Sequence, residues 1–162
     1  MHLGHLLVAQ AACEEAGLER LFFIPAAQSP FKPEMKPTPA AERLRLLRLS
    51  LVGKSHYEID EQEIQRGGVS YTIDTARHYA KQFPYAKLFW LVGADNVPKL
   101  NEWREADELA KLMEFAAVPR PGQPMPIFPV PTMPTVSHES NSKTVQRKVA
   151  VHDFVGRAAY QQ

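Results

Sequence analysis

The sequence contains a single cysteine, Cys13, so an internal disulfide and a zinc site built from several thiolates are both excluded. A lone thiol fits a reducing compartment. At helical spacing among alanines, Cys13 reads as a buried structural side chain rather than a nucleophile. Charge of one sign is also lacking: 19 Lys and Arg face 18 Asp and Glu, a net charge of +1. Nothing in that balance favours nucleic acid or a membrane surface held by bulk electrostatics. No apolar run approaches the ~20 residues of a membrane span, and the first residues lack the basic start and apolar core of a signal peptide. A cytoplasmic protein, with no nucleic acid and no membrane partner, is expected.

Proline is plentiful, at 14 of 162 residues, and its clustering marks the loops. The length suits one domain over 1–162. Leu3 to Ala16 has helical spacing, with Gly17 as its stop. Leu21 to Pro25 is a short apolar run closed by proline, hence a buried strand. "AAQSPFKPEMKPTP" is a loop long enough to carry function. "AAERLRLLRLSLV" returns to helix, with its arginines on a solvated face. "YEIDEQEI" predicts one or two strands. "RGGVSYTIDTARHYAKQFP" predicts a glycine turn, a Thr72 cap and a helix to Phe83. Leu88 to Val92 is the strongest strand and ends in the turn "GADN". "EWREADELAKLM" predicts helix, and "EFAAVPRPG" a strand running into a loop. Residues 119–134 hold seven prolines, with one short strand expected near Ile127. Strands and helices in alternation imply a parallel α/β sheet with helices packed on it.

In such sheets ligands sit beyond the carboxyl ends of the strands, at helix N-termini that favour phosphate. His2 and His5 are three apart and share a helical face. Gly4 between them lets an anion approach the backbone. Alone, H-x-G-H is weak and reads equally as two polar rings at a helix end. Asp95 follows the buried strand, where a carboxylate accepts from ribose hydroxyls or caps the next helix. Trp103 has polar neighbours and reads as an exposed indole that stacks on a flat ring, or as a plug at the core edge. Lys32 is a point charge in the long loop, suited to phosphate or simply solvated. Tyr71 and Thr72 stand at a strand-to-helix turn. Arg120 and Arg147 are isolated guanidiniums.

The order of these blocks is more specific than any one of them. They are H-L-G-H at 2–5, F-I-P-A-A-Q-S-P-F-K at 23–32, R-G-G-V-S-Y-T-I-D-T at 66–75, L-V-G-A-D-N at 91–96, Trp103, and V-P-R-P-G at 118–122. The chain resembles the bacterial nicotinate-nucleotide adenylyltransferases, members of the HxGH-type nucleotidyltransferases. The resemblance covers most of residues 2–122. It implies a Rossmann-like, doubly wound parallel sheet with helices on both faces. That family opens with a strand and a G-G-x-F-D-P-x loop ahead of its first histidine. In this chain the first strand is therefore expected to be missing, leaving ladder groups and apolar side chains uncovered. Residues 135–162 are atypical. "NSKTVQR" at 141–147 stands where the family has I-S-S-T-x-I-R, so only Ser142, Thr144 and Arg147 carry over.

The resemblance implies adenylyl transfer from ATP to nicotinate mononucleotide, giving deamido-NAD and pyrophosphate, by direct attack on the α-phosphorus. It makes His2 and His5 the catalytic pair, holding the triphosphate with Gly4. It puts Gly93 and Asp95 at the adenosine, and Thr144 and Arg147 with the ATP phosphates. Lys32, Tyr71, Thr72, Trp103 and Arg120 fall to the acceptor side, with the indole on the pyridine. Mg2+ accompanies ATP, bound mostly through phosphates and water. Homo-oligomerisation stays open. Two other readings also stay open: a sibling acting on phosphopantetheine, and a non-catalytic remnant that binds nucleotide weakly.

Overall fold

A computed structural model describes residues 3–118 and the backbone of 148–154. Five strands form one sheet: β1 (Arg20–Pro25), β2 (Tyr57–Ile59), β3 (Lys87–Gly93), β4 (Glu114–Val118) and β5 (Lys148–Phe154). All pairings are parallel, in the order β2-β1-β5-β3-β4. Around it lie α1 (Leu3–Ala16), α2 (Ala40–Ser50), α3 (Gln62–Arg66), α4 (Thr72–Gln82), a 3-10 helix at Ala94–Glu102, and α5 (Ala106–Leu112).

β1 is buried from Leu21 to Pro25 because both of its faces are covered. Alternate residues of a strand point to opposite faces. Leu21 and Phe23 therefore enter one core with Ala9 of α1, Leu47 of α2 and Leu91 of β3. Phe22 and Ile24 enter the other, with Trp90 and Val92 of β3, Ile73, Ala76 and Tyr79 of α4, and Leu109 of α5. Helices thus cover both faces, as a doubly wound sheet requires. Each large apolar side chain fully buried here contributes about 1.5–3 kcal/mol.

α1 ends as its sequence dictates. Gly17 takes φ +59°, and the Leu18 N–H donates to the Cys13 carbonyl at 3.0 Å, which closes the helix with a left-handed glycine. The short link to β1 then reverses the chain. Because Leu6 and Ala9 share a core with Leu21 and Phe23, α1 runs back along the sheet. Its first turn lies at the carboxyl edge of the strands. Cys13 is half-buried rather than buried, and burial pushes its thiol above the ordinary value.

Four sequence expectations need correction. "YEIDEQEI" yields only β2; its second half is α3, because Asp60 accepts from the Gln62 N–H at 2.9 Å and starts a helical turn. Thr72 is not the cap of α4. Tyr71 holds that position in extended backbone, without a side-chain cap, because Ser70 is already anchored to β1's exit. The helix expected over 102–113 begins only at Ala106. Trp103 is extended (φ −70°, ψ 146°) to tuck its ring inward, and Glu105 turns left-handed at φ 54°. The fourth concerns the uncovered ladder expected where the first strand is missing: among the described residues the chain does open on α1, but the ladder is filled. β5 stands between β1 and β3 and pairs with both, Val151 lying opposite Phe22 on one side and Trp90 on the other. The expected strand near Ile127 lies outside the described residues.

Candidate functional site

Strands in a parallel sheet all end at one edge, so the segments leaving them converge there. β1 leads into the loop at 26–39, β3 into the 3-10 helix, and β2 through α3 into the turn before α4. The first turn of α1, with Gly4 and His5, reaches the same edge; both residues are half-buried.

The 26–39 loop is tied down rather than loose. Gln28 Nε2 donates to the carbonyls of Lys32 (2.6 Å) and Met35 (3.2 Å). Arg43 of α2 donates from Nη1 to the Ala26 carbonyl (2.7 Å) and from Nε to the Thr38 carbonyl (2.9 Å). Burial lowers the Arg43 pKa. Arg43 therefore belongs to the loop's scaffold and not to a solvated face, as its sequence neighbours suggested. Lys32 emerges from this loop half-buried, next to Phe31, which is 56% exposed.

Phe31 and Trp103 meet across the edge, with ring centroids 6.1 Å apart and planes tilted by 47°. Trp103 also contacts Phe115 of β4 at 6.1 Å, nearly edge-on. The indole is thus half-buried against the core, not exposed, and one side of it faces the loop that carries Lys32. The next residue, Arg104, lies over the Tyr71 ring at 4.6 Å. These contacts bring Trp103, Tyr71, Phe31 and the Lys32 loop together. Thr72 begins α4 directly after Tyr71.

Gly93 and Asp95 are coupled by space. A Cβ at Gly93 would lie 2.6 Å from Asp95 Oδ1, closer than any ordinary contact. The Asp95 carboxylate folds back over Gly93, and glycine is what leaves room for it. The N-cap of the 3-10 helix is Gly93, and Asp95 stands in its first turn.

Two features escaped the sequence reading. Glu63 of α3 is 2% exposed, and its Oε1 accepts from the Thr75 hydroxyl at 2.5 Å. Burial raises its carboxyl pKa, against the lowering pull of the Thr75 and Ser70 hydroxyls and Arg66. The signal available was the spacing of Glu63 and Arg66 at i, i+3 just before the glycine pair. Phe31 was the other, hidden because a lone phenylalanine in a proline-rich loop has no pattern around it. His2, Arg120, Thr144 and Arg147 lie outside the described residues. Among the described residues, no three His, Cys, Asp or Glu side chains gather as a metal-holding group, and no helix is long and apolar enough to cross a membrane.

This arrangement has counterparts among known proteins. The cytidylyltransferase-like family pattern matches residues 1–149. A protein of Opitutus terrae named "Probable nicotinate-nucleotide adenylyltransferase" is 42% identical over 125 residues, which cover 77% of this chain and 64% of that protein. One of the same name from Rhodopirellula baltica is 37% identical, covering 80% and 61%. Another from Shouchella clausii is 35% identical, covering 92% and 78%. The chain spans less than two thirds of the length of the first two. With the pattern running through most of its length and the doubly wound sheet beneath it, the chain belongs to the cytidylyltransferase-like family of nucleotidyltransferases.

Proposed function

We propose that this chain carries out adenylyl transfer from ATP to nicotinate mononucleotide, giving deamido-NAD and pyrophosphate. A phosphate oxygen of the mononucleotide attacks the α-phosphorus of ATP. The bond between that phosphorus and the bridging oxygen breaks, and pyrophosphate leaves with the electron pair. The attacking phosphate is already ionised at neutral pH, so no general base is needed. Such a reaction depends on positioning and on neutralising charge.

His5 and Gly4, with His2 ahead of them, are assigned to the triphosphate at the mouth of α1. Imidazole N–H donors there add to the free amides and positive end of the helix. Asp95 is assigned to the adenosine hydroxyls, in the position Gly93 leaves for it. Lys32 faces the phosphates. Tyr71, Thr72, Trp103 and Arg120 receive the acceptor, and Thr144 and Arg147 the ATP phosphates. Mg2+ would come with the triphosphate and supply charge neutralisation, with phosphate oxygens and water as its main ligands. Among the described residues no three His, Cys, Asp or Glu side chains gather, which suits an ion carried by its substrate.

The observation that carries this reading is the aromatic corner. Phe31 of the Lys32 loop meets Trp103, and Arg104, the next residue, lies over Tyr71, so three segments converge at the edge where Asp95 also stands. A flat ring bearing a phosphate finds both an indole and a cation there. Supporting it are the names carried by the relatives above. The test is calorimetric titration of ATP and nicotinate mononucleotide, followed by a pyrophosphate-release assay with Mg2+. Binding of both with turnover is expected. Turnover with 4′-phosphopantetheine in place of the mononucleotide, or no binding of ATP at millimolar concentration, refutes the proposal.

A further inference from the structure

A carboxyl group removed from water costs several kcal/mol unless it is paired or neutral. Glu63 bears that cost deep in the protein. One oxygen accepts from Thr75, and the other, Oε2, has no hydrogen-bond partner among the described residues. A leucine would fill such a site more cheaply, so the carboxyl calls for a reason.

The surroundings supply one. Thr75 lies on α4, and its hydroxyl also accepts from Arg66 Nη2 at 3.4 Å. Three residues before Glu63, Asp60 accepts from the Tyr79 hydroxyl (2.6 Å) and from Gln62 Nε2 (2.5 Å). Thr75 and Tyr79 are four apart and face the same way. Two carboxylates from one short segment therefore grip one face of α4 at two heights. Grips at two heights fix a helix against rotation about its own axis as well as against sliding.

Between α3 and α4 the chain turns through Gly67 and Gly68, both at φ +67°, a conformation in which L side chains are strained. It then locks to the exit of β1. The Ser70 N–H donates to the Gln28 carbonyl (2.8 Å), and the Ala27 N–H donates to Ser70 Oγ (2.9 Å). Tyr71 and Thr72 follow at once. The two glycines bring no side chains to fix the turn, so what aims Tyr71 and Thr72 is the pair of anchors on either side. Thr72 and Thr75 are one turn apart, and the Thr75 grip sets where Thr72 points. With side chains about 5 Å from the helix axis, a rotation of about 20° moves them by about 2 Å. A misplacement of about 1 Å costs reacting groups on the order of a hundredfold in rate.

We propose that Glu63 is a positioning residue for the acceptor half of the site, holding α4 through Thr75 so that Tyr71 and Thr72 meet the acceptor mononucleotide. The role rests on the functional reading above. The test combines steady-state kinetics with hydrogen exchange on the full chain. Glu63→Ala should raise KM for nicotinate mononucleotide at least about tenfold while KM for ATP stays within about twofold. It should also speed amide exchange in 67–75 with α1 unaffected. Glu63→Gln keeps an acceptor for Thr75 and should restore both readouts most of the way. Thr75→Val removes the hydroxyl with little change of shape and should reproduce the split even if Glu63→Ala folds poorly. Equal rises in both KM values, unchanged exchange in 67–75, or a Gln variant as impaired as Ala would each overturn the role. A wild-type chain that turns over no mononucleotide overturns the functional reading instead. Exchange, which needs no substrate, tells the two failures apart.

Discussion

Replacing Gly93 by alanine tests the adenosine side of the site with a single methyl group. Gly93 has φ −64° and ψ 139°, which any residue adopts, so the backbone bears no penalty. The added Cβ would sit 2.6 Å from Asp95 Oδ1, and ordinary contact begins near 3.4 Å. The carboxylate must therefore retreat by about 0.8 Å or rotate away. Hydrogen bonds are made within about 2.5–3.2 Å, so a retreat of that size breaks whatever Asp95 accepts from a ribose. Hydrogen bonds to a charged group contribute about 1.5–3 kcal/mol net, and about 1.4 kcal/mol is a factor of ten. ATP affinity should fall between about tenfold and a hundredfold. Affinity for nicotinate mononucleotide should stay within about twofold. Melting should barely move, since the loss of chain freedom on Gly→Ala is worth about 0.4–1 kcal/mol in the stabilising direction. Titration calorimetry reads both affinities, and thermal melting reads the fold. ATP binding unchanged in Gly93→Ala, or equal losses for the two nucleotides, would show that Asp95 does not hold the adenosine.

Three further outcomes are expected. Trp103→Ala should weaken nicotinate mononucleotide far more than ATP, by an amount consistent with the ~1–3 kcal/mol of a base–aromatic stack, and Trp103→Phe should recover part of it; equal losses in titration would assign the indole to packing alone. The Glu63 carboxyl binds its proton more tightly in the folded chain than its ordinary value of 4.5 allows, so that stabilisation is present below pH 4.5 and lost as pH rises through the raised value. Glu63→Gln carries no such proton, and its melting temperature relative to wild type should climb from pH 4.5 towards neutrality; a difference independent of pH would contradict the burial argument. Val151→Pro removes a ladder donor between β1 and β3 and should lower Tm, at about 2–4 °C per kcal/mol for a chain of this size, with a red shift of Trp90 emission as the second reading; an unchanged melt would remove β5 from the centre of the sheet.

β1 and β3 were legible because their signals are local, whereas the central β5 was not expected. "LFFIP" and "KLFWLVG" are apolar on both faces, and only strands covered on both sides can be. α1 was legible to its last residue because Gly17 supplies the left-handed stop. The errors arose where a distant contact decides a local choice. "EWREADELAKLM" has helical spacing throughout, yet Trp103 leaves the helix because its ring gains more from Phe31 and Phe115 than its backbone gains from one more turn. Thr72 looks like a cap, but Ser70's tie to Gln28 sets the turn one residue earlier. Arg43 sits in a run of arginines that look solvated, and only the fold brings the carbonyls of Ala26 and Thr38 to it. Glu63 could not be read as buried, because its burial follows from how α3 docks on α4. Several of the motif blocks come to the carboxyl edge of the sheet, and Arg43 and Glu63, which help hold two of them, lie between them in sequence.

The same logic accounts for β5. β1 and β3 each present a fully buried apolar run, and each has a further strand on one side only, β2 and β4 respectively. Their facing edges carry rows of peptide donors and acceptors inside the core, where an unmade hydrogen bond costs about 1–3 kcal/mol. A strand between them pairs with both edges. The position of the site follows, because β5 ends in register with the exit of β1, Phe154 opposite Pro25. The central strand thus keeps the 26–39 loop and the turn at Gly93 one strand apart at the carboxyl edge of the sheet.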